Sequence, residues 1–153
     1  MKKYPFLIVL LAFLVSIPLC GTGAAAEHGG NPLSEHPGKA VTARSVKNAI
    51  KDHVKAVAGR NNGVFAISDD KLKKEWRLKL DKIHDPVRRF EKDGKTIYFA
   101  CSDFKSTEGN DVLDIDFWIV ENSGKMEVID TRIHKVNGEP RFTYEGTELR
   151  EVK

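Results

Sequence analysis

The chain is short of several things that mark large classes of protein. It has only two cysteines, Cys20 and Cys101, among 153 residues, too few for the paired Cys/His spacings of a structural zinc module. It has no P-loop, no dinucleotide fingerprint and no G-x-S-x-G nucleophile elbow. These absences leave no expected cofactor and no expected metal. Long apolar runs are missing as well. The longest, Phe6 to Leu19, has 14 residues, where a membrane-spanning helix needs about 20. Charge of one sign is not in excess either, with 25 basic and 22 acidic residues. A nucleic-acid binder needs a basic stripe, so nucleic acid is not an expected partner.

The apolar run has a different meaning. Met1-Lys2-Lys3 supplies a positive start, Phe6 to Leu19 an uncharged middle, and Ala24-Ala25-Ala26 a small-residue end. That order is a secretory signal cut after Ala26, and it predicts a periplasmic or secreted product. Cys20 offers an alternative, because a cysteine after an apolar run is also where a bacterial lipoprotein is lipidated. Leu19 stands where a lipobox carries a small residue, so cleavage after Ala26 is the expectation and a lipid anchor at Cys20 the alternative. Removing 26 residues leaves 127, enough for one domain with one core. Two basic residues leave with the signal and every acidic one stays, so the formal charge falls from +3 to +1. Cys101 is then a lone thiol in the apolar setting Tyr98-Phe99-Ala100-Cys101, which predicts burial.

Residues 27–41 contain Gly, Pro, His28 and His36 and little to bury, the composition of a flexible leader. From Thr42 to about Ala58, Val46, Ile50, Val54 and Val57 recur at helical steps, with Thr42 as N-cap and Gly59 as terminator. After Gly63 the period becomes two. Strands are predicted at 64–68, 76–83, 87–91, 96–104, 112–120, 126–136 and 141–144, separated by turn residues such as Asp93-Gly94, Asn122-Ser123-Gly124 and Asn137-Gly138. One helix followed by antiparallel strands is an α+β domain, with the helix across one face of a curved sheet. This element order, from about Thr42 to Tyr144, resembles the cystatin-like and NTF2-like architecture. The stretches Lys82-Ile83-His84-Asp85-Pro86-Val87-Arg88, Asp116-Phe117-Trp118 and Ile133-His134-Lys135-Val136 also look like uncharacterised small exported bacterial proteins. The NTF2-like resemblance implies no single activity, since that fold hosts enzymes, ligand binders and association modules.

Alternation within the strands suggests a register. A three-residue loop Asn122-Ser123-Gly124 pairs Glu121 with Lys125, setting Leu113 against Ile133, Ile115 against Thr131 and Phe117 against Ile129. A loop from Ser106 to Asn110 sets Phe99 against Phe117 and Cys101 against Ile115. Odd positions then form the apolar layer under the helix. The even face carries Tyr98, Trp118, Ser102, Asp114, Asp116, Asp130, Arg132 and His134, with His84 beside Ser102 after a loop at 92–94, or shifted by one residue if the turn is Asp93-Gly94 alone. In this register Asp116 opposes Asp130, an arrangement that needs a cation. Arg132 neutralises Asp114, and Arg77, Lys79 or Arg88 relieves the aspartate pair.

These nine residues are the expected site. Tyr98 and Trp118 beside charges suit a surface that binds a protein partner, a second copy of the chain or a small ligand. The leading expectation is therefore a non-enzymatic exported binding module. The alternative is a small enzyme using the carboxylates with His84 and His134 as acid and base.

Overall fold

Thr42 starts the helix as its sequence predicts. In the computed structural model, which describes residues 31–33, 41–145 and 148–152, its hydroxyl accepts from Ser45 N (3.1 Å). Ser45 Oγ in turn accepts from Thr42 N (3.0 Å), so two backbone donors are satisfied reciprocally. The signal segment, Cys20, His28 and His36 lie outside the described residues. The helix, α1 (Ala43–Arg60), does not stop at Gly59. It continues to Arg60 and is capped at Asn61, because the left-handed backbone that ends a helix is taken up later, by Asn62 and Gly63.

The strands follow as β2 (Phe65–Asp69), β3 (Lys74–Ile83), β4 (Arg88–Lys92), β5 (Lys95–Ser106), β6 (Val112–Asn122), β7 (Lys125–Val136) and β8 (Glu139–Pro140). They form one strongly curled antiparallel sheet that carries the helix, so the α+β expectation holds. Within the predicted leader, Asn31–Pro32 form a short strand β1 against β4, and Leu33 N donates to Val87 O (2.7 Å). The long strand β5 is the axis of the sheet. Its first half pairs with β4 and its second half with β3 on the same edge, while β6 lies along the other edge.

The register differs from the expected one in both central hairpins. The β6–β7 turn is two residues, Ser123-Gly124, both at positive φ, so Asn122 pairs with Lys125. Such turns match the twist of the strands they join. The β5–β6 loop is one residue longer than expected, and Lys105 pairs with Val112. That shift exchanges the faces of β5. Tyr98, Ala100, Ser102 and Phe104 lie on the side of β6 Leu113, Ile115, Phe117 and Ile119, under the helix. Phe99 and Cys101 lie on the opposite side, with Trp118 and Asp116 as neighbours.

Strand β7 keeps its apolar residues on the helix side only by changing phase. Met126 and Val128 are even-numbered, Ile133 is odd and Val136 even, yet all four pack into the main core. Two β-bulges, at Ile129 and His134, provide the extra residue at each change of phase. The resulting pairs are Leu113 with Val136, Ile115 with Ile133 and Phe117 with Thr131.

The second face of the sheet is covered. After Arg141 a separate hairpin, β9 (Phe142–Glu145) and β10 (Glu148–Glu151), closes over it. Phe142, Tyr144 and Leu149 pack with Phe99, Cys101 and Trp118 in a second apolar cluster. The hairpin is fastened through Asp69, the last residue of β2. Asp69 accepts two hydrogen bonds from the Arg141 guanidinium (2.6 and 2.7 Å), one from Trp76 Nε1 (2.7 Å) and two from the backbone of Lys71 and Leu72. Burial raises its carboxyl, but the bonds from Arg141, Leu72 and Trp76, with the charge of Arg141, outweigh burial and hold it well below the usual carboxylate range.

Breaking a buried pair by removing one partner costs about 3–5 kcal/mol, so Arg141→Ala should destabilise the fold by about that amount in denaturant unfolding near neutral pH. A carboxyl lowered in the folded state stabilises above its unfolded pKa of about 4 and loses that contribution as pH falls below it. The gap between the native protein and Arg141→Ala should therefore narrow from about pH 5 downwards. A gap that stays constant over that range would show that Asp69 is not what Arg141 holds.

Candidate functional site

Three strands deliver polar side chains to one buried point beneath the hairpin. Cys101 comes from β5, Asp114 and Asp116 from β6, and His134 from the second bulge of β7. The bulge is what brings His134 there: as the extra residue it turns away from the core that Ile133 enters, and its ring is 2 % exposed. The carbonyl of His134 accepts from Arg141 N (2.8 Å). Its ring stacks on Phe142, with centroids 4.9 Å apart, and meets Tyr144 edge-on.

Asp116 is completely buried. Its Oδ1 accepts from the Cys101 thiol and its Oδ2 from the Tyr144 hydroxyl, the latter at 2.6 Å. His134 Nδ1 lies 3.7 Å from Oδ2 of Asp116, 3.5 Å from Oδ2 of Asp114 and 4.0 Å from Cys101 Sγ. Among the described residues, no lysine or arginine reaches Asp116. Burial, opposed by the thiol, the phenol and His134, pushes its carboxyl up to about 6. Burial and then the charge of Asp116 raise both the Cys101 thiol and the Tyr144 phenol far above their ordinary values. Both therefore stay protonated at neutral pH, as their hydrogen bonds require. A thiol held in that form is a poor nucleophile.

A cavity of about 470 Å³ opens beside this cluster. Cys101 and Asp114 form part of its lining, Phe99, Pro86 and Val112 give it apolar walls, and Arg88, Lys135 and His84 bring cationic groups. His84 N donates to Cys101 O (2.9 Å), and its ring binds Asp103 (2.9 Å) instead of approaching Ser102.

Of the nine expected site residues, the structure brings together Asp114, Asp116 and His134. His84 lines the adjoining cavity. Tyr98 and Ser102 lie under the helix on the other face, both buried, because of the shift in β5. Trp118 is not an exposed aromatic but packs edge-on against Phe99, 5.4 Å away, beneath the hairpin. Asp116 faces Arg132 across the strands, and Asp130 faces Trp118, so the expected aspartate pair does not exist. Arg132 binds Asp130 (2.9 Å) at the surface and leans over the Trp118 ring instead of neutralising Asp114. Nor do the expected neighbours act on Asp116, and Arg77 pairs with Glu108.

Cys101 and Tyr144 are the residues the strand pattern misses. The change of phase along β7 is the signal for the first bulge and hence for the true pairing. The apolar alternation of Phe142 and Tyr144 is the signal for a hairpin that needs a face to cover.

Among the described residues no helix is long and apolar enough to cross a membrane. Compared with protein-family models, with curated proteins and with solved structures, the chain matches none.

The surface pair gives a direct check on this register. Both partners are about half exposed, and such pairs contribute at most about 1 kcal/mol. A double-mutant cycle on Asp130→Asn and Arg132→Ala should give a coupling below that value. Coupling of several kcal/mol would mean that Arg132 serves a buried carboxylate after all.

Proposed function

We propose that this protein is an exported, non-enzymatic binding module that holds a small ligand in the cavity between the β3–β4 connection and the end of the β6–β7 hairpin. The helix laid on a curled sheet is the architecture seen in cystatin-like and NTF2-like domains, and the N-terminal signal pattern supports a place in the periplasm or outside the cell.

The observation that carries the reading is the cavity itself. Its volume of about 470 Å³ falls in the range of about 300–1,000 Å³ typical of small-molecule sites. Its lining combines apolar walls with a few convergent polar groups, and the cationic groups of Arg88 and Lys135 suit a ligand with an apolar body and an acidic substituent. The arrangement of the cluster favours binding over catalysis. The groups that reach the cavity from the cluster are Cys101, held as a thiol, and Asp114, whereas Asp116 and His134 sit behind them. The cavity is also a better candidate than the aromatic part of the sheet face, which the C-terminal hairpin covers.

Anilinonaphthalene sulfonate, an apolar dye with one acidic group, is a suitable probe. It should bind saturably with one-to-one stoichiometry. Val112→Trp, which fills the cavity from its exposed rim, should abolish the fluorescence gain, and Arg88→Glu should weaken binding about tenfold. Ile129→Ser, on the exposed bulge of β7, should change nothing. Near-ultraviolet circular dichroism separates this from dye uptake by a loosened core. Equal dye binding by Val112→Trp with an intact near-ultraviolet spectrum would overturn the assignment of the cavity.

A further inference from the structure

The cluster beside the cavity has a composition that ligand binding in the cavity does not use. Cys101, Asp114, Asp116 and His134 each present one donor atom, and the four atoms lie within 4.8 Å of one another. They are one sulfur, one imidazole nitrogen and two carboxylate oxygens. Three of the four residues are fully or almost fully buried, and three different strands contribute them, β6 giving both aspartates. We infer that these four side chains form a binding site for one divalent transition-metal ion of borderline softness, for which zinc(II) is the natural occupant.

The geometry supports four-coordination. Zinc bonds of about 2.0–2.3 Å put the ligands of a tetrahedron about 3.3–3.6 Å apart. The separations already present are 3.5 Å and 3.7 Å from His134 Nδ1 to the two carboxylates, and 4.0 Å from the same nitrogen to Cys101 Sγ. The ion would replace the proton that Cys101 shares with Asp116, and that proton would leave to solvent.

The donor set also selects the metal. A thiolate and an imidazole suit zinc and its neighbours, whereas magnesium and calcium take oxygen ligands and want six or more of them. The surroundings resemble an outer shell. The Tyr144 hydroxyl fixes one oxygen of Asp116, and the stacked Phe142 ring fixes the plane of His134. Hydrogen-bonded partners such as Tyr144 orient metal ligands and account for 10- to 100-fold in affinity. Access exists as well, because Cys101 and Asp114 belong to the cavity lining. Asp116 meanwhile is a wholly buried carboxylate whose partners are a thiol, a phenol and an imidazole, so a cation placed among them would supply the charge that the protein does not.

Cobalt(II) titration of the metal-stripped full-length protein tests the site, because cobalt reports on its own ligands. One equivalent should give the intense visible bands of tetrahedral coordination together with a near-ultraviolet thiolate-to-cobalt charge-transfer band. Zinc(II) should displace it, and a tenfold excess of magnesium should not. Cys101→Ser should eliminate the charge-transfer band, and His134→Gln should weaken binding about a hundredfold or more, since a lost ligand counts for at least as much as a lost outer partner. Asp116→Asn, nearly isosteric, serves as a second ligand variant if either of these fails to fold, with the same loss expected. Replacing His28 and His36 together should leave the spectrum unchanged. Weak octahedral bands, a spectrum indifferent to Cys101→Ser, or binding that disappears only with His28 and His36 would overturn the inference. Failure here leaves the dye experiment on Val112→Trp untouched, so the two readings stand or fall separately.

Discussion

The ion pair between Asp69 and Arg141 determines what the second face of the sheet is. These residues are 72 positions apart, and their contact ties the segment leading into the C-terminal hairpin to the end of β2. With the hairpin in place, Phe99 and Trp118 become part of a core, and Asp116 loses all contact with solvent. Without it the same strands would present an ordinary wet face, as antiparallel sheets commonly do. The raised carboxyl of Asp116 and the raised thiol of Cys101 are consequences of that burial, because removing water penalises each charged form. A clamp made of five hydrogen bonds at one end of the hairpin thus sets the electrostatic conditions for a cluster to which it contributes no side chain.

The second constraint is the phase of β7. A strand with a strict period of two cannot bury Met126, Val128, Ile133 and Val136 on one side. Bulges resolve the conflict, and each leaves a residue with no partner across the ladder. Ile129, the first of these, is left on the surface at 54 % exposure. His134, the second, is turned into the cluster. A single device that satisfies the apolar core therefore has opposite outcomes at its two sites. The difference lies in the cover: Phe142 stacks over His134, while Ile129 is left exposed.

Much of the fold was legible because it depends on local chemistry. The Thr42 cap, the helical repeat of Val46 and Ile50, the strand positions and the left-handed turn residues all act within a few positions of one another. Alternation also puts Asp114 and Asp116 on one face of β6, whereas His134 joins them only through the second bulge of β7. What alternation does not supply is the relation between strands. The expected loops at 106–110 and 122–124 each differ from the real ones by one residue, and with period-two side chains that is enough to move Cys101 from the core to the polar cluster and Tyr98 and Ser102 in the opposite direction. The burial of Trp118 was hidden for another reason, since it depends on the hairpin that Asp69 holds from across the molecule.

The register the chain adopts leaves the Ser102 hydroxyl unsatisfied among the described residues, which shows what decides between the two alternatives. Ser102 is wholly buried under the helix, and its hydroxyl has no hydrogen-bond partner among the described residues. In the shifted pairing Ser102 would sit in the row of carboxylates and Cys101 in the apolar layer, an arrangement kinder to both. An unsatisfied buried hydroxyl costs about 1–3 kcal/mol. The same shift, however, would take Tyr98, Ala100 and Phe104 off the helix side, and burying each large apolar side chain is worth about 1.5–3 kcal/mol. Phe104 is fully buried there, stacked 6.1 Å from Phe117 and tilted against Phe65 at 5.0 Å. Phe99 would simultaneously lose Trp118 and Tyr144, its neighbours beneath the hairpin. Apolar side chains of both parities in β5 outweigh one serine hydroxyl. The presence of a cysteine in the polar cluster is thus fixed by the aromatic residues on either side of it in the strand.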